Sequence, residues 1–236
     1  MKFNKNSVFF GVLFTIGLLL LPLSTSANMA TSEVPTAIVK TDNTVLAKKD
    51  GAISIEAGSK QLEKINALYG KEMTQAEFIK TIYPEALEVI PAEVLKEYEN
   101  MRFVFGQEDQ YVSKESNLVA NNNTTMGLIG LTATAGRTGP ASQQSHDAKT
   151  TATAPCTSLS TTSTLEKQNS NGTVTCVSSA YDFSANTVLS YAVAFYSGTP
   201  GKYRSVGYHA ATAPPGYQPP VWSYTSYDQY NFYQVN

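Results

Sequence analysis

The chain has 236 residues, with 17 Lys and Arg against 19 Asp and Glu, a formal net charge of −2. That balance offers no basic footprint for nucleic acid and no electrostatic attraction to an anionic bilayer. With only two histidines in the sequence, a three-histidine zinc centre is excluded, and no H-E-x-x-H pattern occurs.

Residues 1–27 read as a secretory signal. Lys2 and Lys5 precede an apolar run over 8–21 that is short for a bilayer span, Pro22 breaks it, and Thr25-Ser26-Ala27 supplies the small residues of a cleavage site. No second long apolar run follows, so no membrane span is expected after signal removal. In an exported chain the two cysteines, Cys156 and Cys176, are expected to pair. Their disulfide would close a loop of about 21 residues and stabilise the fold by roughly 3 kcal/mol.

Composition divides what remains. Residues 28–118 hold 15 acidic and 10 basic side chains, and residues 119–236 hold 4 and 5. A charged, mainly helical N-terminal region over 28–118 is therefore expected to fold apart from a nearly uncharged unit, with 119–153 as a linker or long loop. Within the first region, Ala37-Ile38-Val39 and Ile53-Ser54-Ile55 suit short strands with the turn Asp50-Gly51 between them. Leu62, Ile65, Leu68 and Tyr69 recur at helical spacing up to Gly70. Thr74-Gln75-Ala76-Glu77 is a capping box, in which the Thr oxygen accepts from the Glu77 amide and the carboxylate reaches back. Pro84 and Pro91 each suit the first turn of a further helix. Arg102-Phe103-Val104-Phe105 suits a strand.

Residues 136–153 carry almost no large apolar side chain, which points to an exposed crossing. From residue 154 the pattern turns to period two. Leu189, Tyr191, Val193 and Phe195 alternate with Ser190, Ala192 and Ala194, the pattern of a strand with one buried face. The turn at 197–201 then joins it to a strand over 202–210 as a hairpin. Residues 158–165 and 173–179 face each other across Asn169-Ser170-Asn171-Gly172. The expected class is α+β, a small helical N-terminal region followed by an antiparallel sandwich-like domain over 154–236 with one disulfide.

The residue types of a hydrolase triad adjoin at Ser145-His146-Asp147, but neighbours in a chain seldom face one another and no G-x-S-x-G elbow is present. No cofactor motif occurs: the glycines at 127, 130 and 136 do not form a phosphate cradle. The feature above background is aromatic. Tyr208, Tyr217, Trp222, Tyr224, Tyr227 and Tyr230 crowd the C-terminal quarter, and tyrosine's apolar body with a polar tip suits a binding surface. The leading functional expectation is a secreted, non-enzymatic binding or adhesion module contacting a glycan, cell wall or protein partner. A second is a precursor whose helical region is a pro-segment released from an antibacterial or toxin-like β effector. A third is a hydrolase using His146, Asp147, His209 or Asp228.

Overall fold

A computed structural model describes residues 40–106, 127–229 and 231–236. The expected signal segment, the expected strand over 37–39, residues 119–126 of the expected linker, and Tyr230 lie outside them. The described chain is mostly antiparallel sheet with three α-helices, an α+β arrangement with a sandwich-like C-terminal part. In chain order come β1 (Thr44–Lys49), β2 (Ala52–Glu56), α1 (Ser59–Asn66), β3 (Glu72–Thr74), α2 (Gln75–Ile82), a 3-10 turn (Pro84–Glu88), α3 (Ala92–Tyr98) and β4 (Arg102–Val104). Then follow β5 (Gly127–Leu128), β6 (Leu131–Thr138), a 3-10 turn (Ala141–Gln143), β7 (Gln144–Gln168), β8 (Val174–Tyr196), β9 (Gly201–Thr212), β10 (Tyr217–Gln218), β11 (Val221–Tyr227) and β12 (Tyr233–Val235).

The helical part forms as local signals dictate. Thr74 Oγ1 accepts from the Glu77 amide at 3.1 Å and Glu77 Oε2 accepts from the Thr74 amide at 2.8 Å, so the capping box is complete. These bonds, the backbone one first, hold the Glu77 carboxyl below its usual pKa. Pro91 sits at the N-cap of α3, while the segment begun by Pro84 tightens into a 3-10 turn.

The organising feature is the β7–β8 hairpin, which doubles back on itself. His146 and Ser163, both on β7, touch through their side chains at 2.7 Å. In a straight strand they would lie about 55 Å apart. The ladder between β7 and β8 breaks between Thr151 and Cys156. Pro155 falls in that gap, where its missing N–H costs no ladder bond. On β8, Asn186 takes a left-handed φ of 49° at the matching place. The hairpin thus has two arms. One joins the sheet β1-β2-β8-β7-β9-β11. The other, with β6 added on β7, forms a smaller layer over that sheet.

Between the layers the filling is small and polar. Residues 158–166 of β7, Ser-Leu-Ser-Thr-Thr-Ser-Thr-Leu-Glu, are all fully buried. A strand buried on both faces ordinarily reads as Val, Ile and Leu. Here hydroxyls take their place, and several are paired: between the layers Thr150 Oγ1 lies 2.6 Å from Thr161 Oγ1, and on the helix-covered face Ser158 Oγ lies 2.8 Å from Thr212 Oγ1. Gly207 permits the close approach, since a Cβ there would sit 2.9 Å from that of Ala148 on the overlying layer.

The other face of the large sheet carries the main core. Phe78, Ile79, Ile82, Tyr83, Tyr98 and Phe105 from the helical part pack with Tyr181, Phe183, Val206 and Tyr208 from the sheet in one cluster. Tyr83 stacks on Tyr181 at 5.0 Å and bonds Ser179 at 2.7 Å. The helical region and the β region therefore share one core, and the described residues all fall in one compact unit. The stretch read as a linker is largely strand, because its small residues and hydroxyls fill the gap between layers. The expected hairpin of 189–195 with 202–210 does not form either. β9 pairs with β7, on the side away from β8.

The expected disulfide is absent. Both cysteines are buried free thiols. Cys156 pairs across the ladder with Thr187, whereas Cys176 faces Glu166, ten residues further along β7. At about 3.3 Å per residue that separation is roughly 30 Å, against a Cα distance under about 7 Å for a disulfide. Burial pushes both thiols above their usual pKa, so neither is an activated thiolate. Reducing agent is expected to leave the thermal midpoint unchanged, with both thiols titrating in the unfolded chain without prior reduction. A non-reduced mass short of the two thiol hydrogens would refute this.

Candidate binding surface

The two histidines sit between the layers. His146 is fully buried, with Nδ1 2.7 Å from Ser163 Oγ and Nε2 2.8 Å from Ser178 Oγ. His209 is 2 % exposed, with Nδ1 2.8 Å from Thr150 Oγ1 and Nε2 2.7 Å from Ser226 Oγ. A neutral imidazole donates from one nitrogen and accepts at the other, so each ring bridges two hydroxyls. Burial lowers both pKa values to about 3, which keeps the rings neutral. These Ser–His contacts are buried between the layers. Asp147 lies on the opposite face of β7 from His146, as strand alternation requires, so Ser145, His146 and Asp147 do not converge.

Asp228 is occupied by structure. Its Oδ1 accepts from the amides of Ser205 and Gln229, both at 2.8 Å, and its Oδ2 accepts from Tyr233 Oη at 2.7 Å. Arg137 Nε donates to the same Tyr233 oxygen. Burial, with a smaller contribution from Asp228, raises the Asp147 carboxyl, and Lys149 offsets part of that. Among the described residues no three His, Cys, Asp or Glu side chains come together as metal ligands. No helix among them is long and apolar enough to cross a membrane.

The aromatic residues separate into core and surface. Tyr208 is 4 % exposed; it stacks on Phe105 at 4.8 Å and accepts from the Gly106 amide at 3.1 Å. Trp222 is 8 % exposed and packs with Leu159, Ala211 and Ile129. Tyr227 is half-buried beneath the Arg204 guanidinium, 5.1 Å from its ring. Tyr217 and Tyr224 are the exposed members, at 38 % and 39 %. Tyr217 lies against the backbone of Gly127 on β5, where an added Cβ would meet the ring at 2.6 Å. Tyr224 stacks on Trp222, with ring centroids 5.9 Å apart and planes 21° from parallel.

Beside Tyr224 a shallow concavity is lined by residues that include Gln75, Phe103, Tyr208, His209 and Thr225, with a cavity volume of about 10 Å³. That is the lower limit for a single water molecule and far below a small-molecule pocket. Recognition at this place would be by surface contact.

A second exposed strip escapes the sequence reading. On β8 the alternation is the reverse of that expected. Ser190, Ala192 and Ala194 are buried, while Leu189, Tyr191 and Phe195 are 45 %, 43 % and 72 % exposed. The inner gap admits only small side chains, since Ala192 and Ala194 pack on Ala180 of the same strand. The usable signal was that the small residues alternate as regularly as the large ones. No protein-family model, no curated protein and no solved structure shows a match to this chain.

Proposed function

We propose that the chain is an exported, non-enzymatic binding or adhesion protein that contacts a glycan, cell-wall polymer or protein partner through aromatic side chains on its β-sheet surface. The observation that carries this reading is the Tyr224 ring, held flat on a buried Trp222 and open to solvent. A ring fixed in this way loses little freedom on binding, and flat apolar faces stack on sugar rings or on a partner's side chains. The burial of both histidine rings, each held between two hydroxyls, supports recognition over hydrolysis. The shared core supports a function of the joined regions over release of a β effector, because removing the helices would expose Tyr181, Phe183 and Tyr208.

Tyr224→Ala and Tyr217→Ala test the reading, as neither removes a buried side chain. Trp222→Ala is a poor probe, since emptying a core position costs about 3–5 kcal/mol of folding stability. In a pull-down on purified cell-wall polymer and a glycan array, Tyr224→Ala is expected to weaken binding about tenfold or more. Retention unchanged in both variants removes these rings from any binding role.

A further inference from the structure

We propose that residues 189–196 of β8 form a self-association edge, on which a second copy of the chain pairs antiparallel about a two-fold axis through Val193. β2 covers β8 only over residues 180–184, and the other partner, β7, lies on one side throughout. Along 189–196 the second side of the strand therefore has no paired strand among the described residues.

An open edge takes another strand unless something blocks it, and natural edges are blocked with charge, proline or a bulge. The first edge of the same sheet shows such guarding: β1 ends in Lys48-Lys49 and bulges between Val45 and Ala47. The other edge, β11, follows Pro219-Pro220 and exposes only Tyr224 among its large apolar side chains. β8 from residue 186 to 196 has no charged residue and no proline, and it displays Leu189, Tyr191 and Phe195 outward.

The local hydrogen bonds select both the occupant and its register. The Leu189 amide donates to Thr187 Oγ1 and the Tyr191 amide donates to Asp182 Oδ2, each at 3.1 Å. Both amides therefore point away from β7, and alternation aims the N–H and C=O of Val193 and Phe195 the same way. A two-fold at Val193 uses only groups that remain open. The Val193 amide donates to the partner's Val193 carbonyl, the Phe195 amide donates to the partner's Tyr191 carbonyl, and the symmetry repeats both. The Tyr191 amide, already held by Asp182, is not required. This register also sets each Tyr191 ring opposite the other copy's Phe195, a favourable cross-strand pair. An isologous edge of this kind is self-complementary and needs no opposite charge on a different partner. Full covering of Leu189, Tyr191 and Phe195, at up to about 200 Å² for a whole side chain, would bury roughly 600 Å² over the two copies, so the pairing is of the weak, small-interface kind and its specificity comes from the main-chain bonds.

Sedimentation equilibrium of the intact chain tests the proposal. The wild type is expected to dimerise with a Kd in the micromolar range, and Phe195→Lys to be monomeric at about 100 µM. Phe195 is the most exposed of the strip, so the variant should keep the wild-type circular dichroism and melting temperature. A second readout does not depend on affinity. Val193→Cys should form a reducible covalent dimer linked through residue 193, because directly opposed Cα atoms lie about 5.5 Å apart. Val45→Cys on the guarded edge should not. A wild type that stays monomeric at about 100 µM overturns the proposal. A dimer that survives Phe195→Lys while Val193→Cys fails to cross-link overturns it as well, by placing the contact elsewhere.

Discussion

Glu166→Gln is expected to destabilise the fold by about 3–5 kcal/mol, a large part of the roughly 5–15 kcal/mol that holds a typical domain folded. Glu166 is fully buried, and its Oε2 accepts from Arg204 Nε at 2.7 Å while Oε1 accepts from Tyr69 Oη at 2.9 Å. The guanidinium is sealed in turn between rings, 4.5 Å from Phe232 and 5.1 Å from Tyr227. The amide matches the carboxylate in shape but not in charge, so it removes the charge-assisted contact between Oε2 and Arg204 Nε from a low-dielectric site. Arg204→Met removes the other half of the same contact and is expected to cost a similar amount. The double variant Glu166→Leu/Arg204→Met should cost less than either single change, because two desolvated charges leave together. Urea denaturation of all three variants measures this. A Glu166→Gln loss under about 1 kcal/mol, or costs that simply add in the double variant, would show that the pair is solvated and not a buried unit.

How far the fold could be read follows from the range of the forces that make it. The start of α2 was legible because Thr74 and Glu77 satisfy each other's amides within one turn. The turn at Asp50-Gly51 and the hairpin about Asn169-Ser170-Asn171-Gly172 are likewise decided by neighbours in sequence, although the register differs from that expected: residues 158–165 pair with 178–185, and residues 174–179 with 164–168. The fold-back of β7 and β8 was not legible, because it rests on contacts such as His146 with Ser163 that only the finished packing creates. Once the gap between layers is set by Ala148, Gly207 and Ala180, the large residues of 189–195 must face outward. Period two alone identifies two faces but not which of them is inside. The same gap explains why polar residues 144–153 are strand: hydroxyls that pair with one another can be buried, so polarity was a poor guide to exposure. The candidate surface was legible in composition but not in orientation. Tyr217 and Tyr224 face solvent, whereas Tyr208 and Trp222, of identical promise in sequence, complete two separate cores. The cysteine pairing failed because an even count carries no distance.

Stability is expected to fall by about 4 kcal/mol between pH 7.5 and pH 5, and the two interlayer histidines are the reason. Each has a folded pKa lowered by burial to about 3, against an ordinary value of 6.5. Between those values the unfolded chain binds a proton that the folded chain refuses. The contribution of each ring is thus complete above pH 6.5, declines as pH falls below it, and levels off only near pH 3. At pH 5, about 1.5 units below the unfolded value, each ring accounts for about 2 kcal/mol, since one unit is worth 1.36 kcal/mol. All four ring contacts are to Ser or Thr hydroxyls, which cannot stabilise an imidazolium as a carboxylate would. The Glu77 and Glu88 carboxyls, lowered by their hydrogen bonds to Thr74 and Lys48, are exposed and titrate below this window. Urea midpoints at pH 7.5 and 5 measure the effect directly. His146→Gln lowers stability at both values because it disturbs the Ser163 and Ser178 contacts, but it should remove about half of the pH dependence. That change in slope separates a titrating group from mere loss of packing. A wild-type midpoint that does not move between pH 7.5 and 5 would mean that the rings reach water, and the sealed polar interlayer would be wrong.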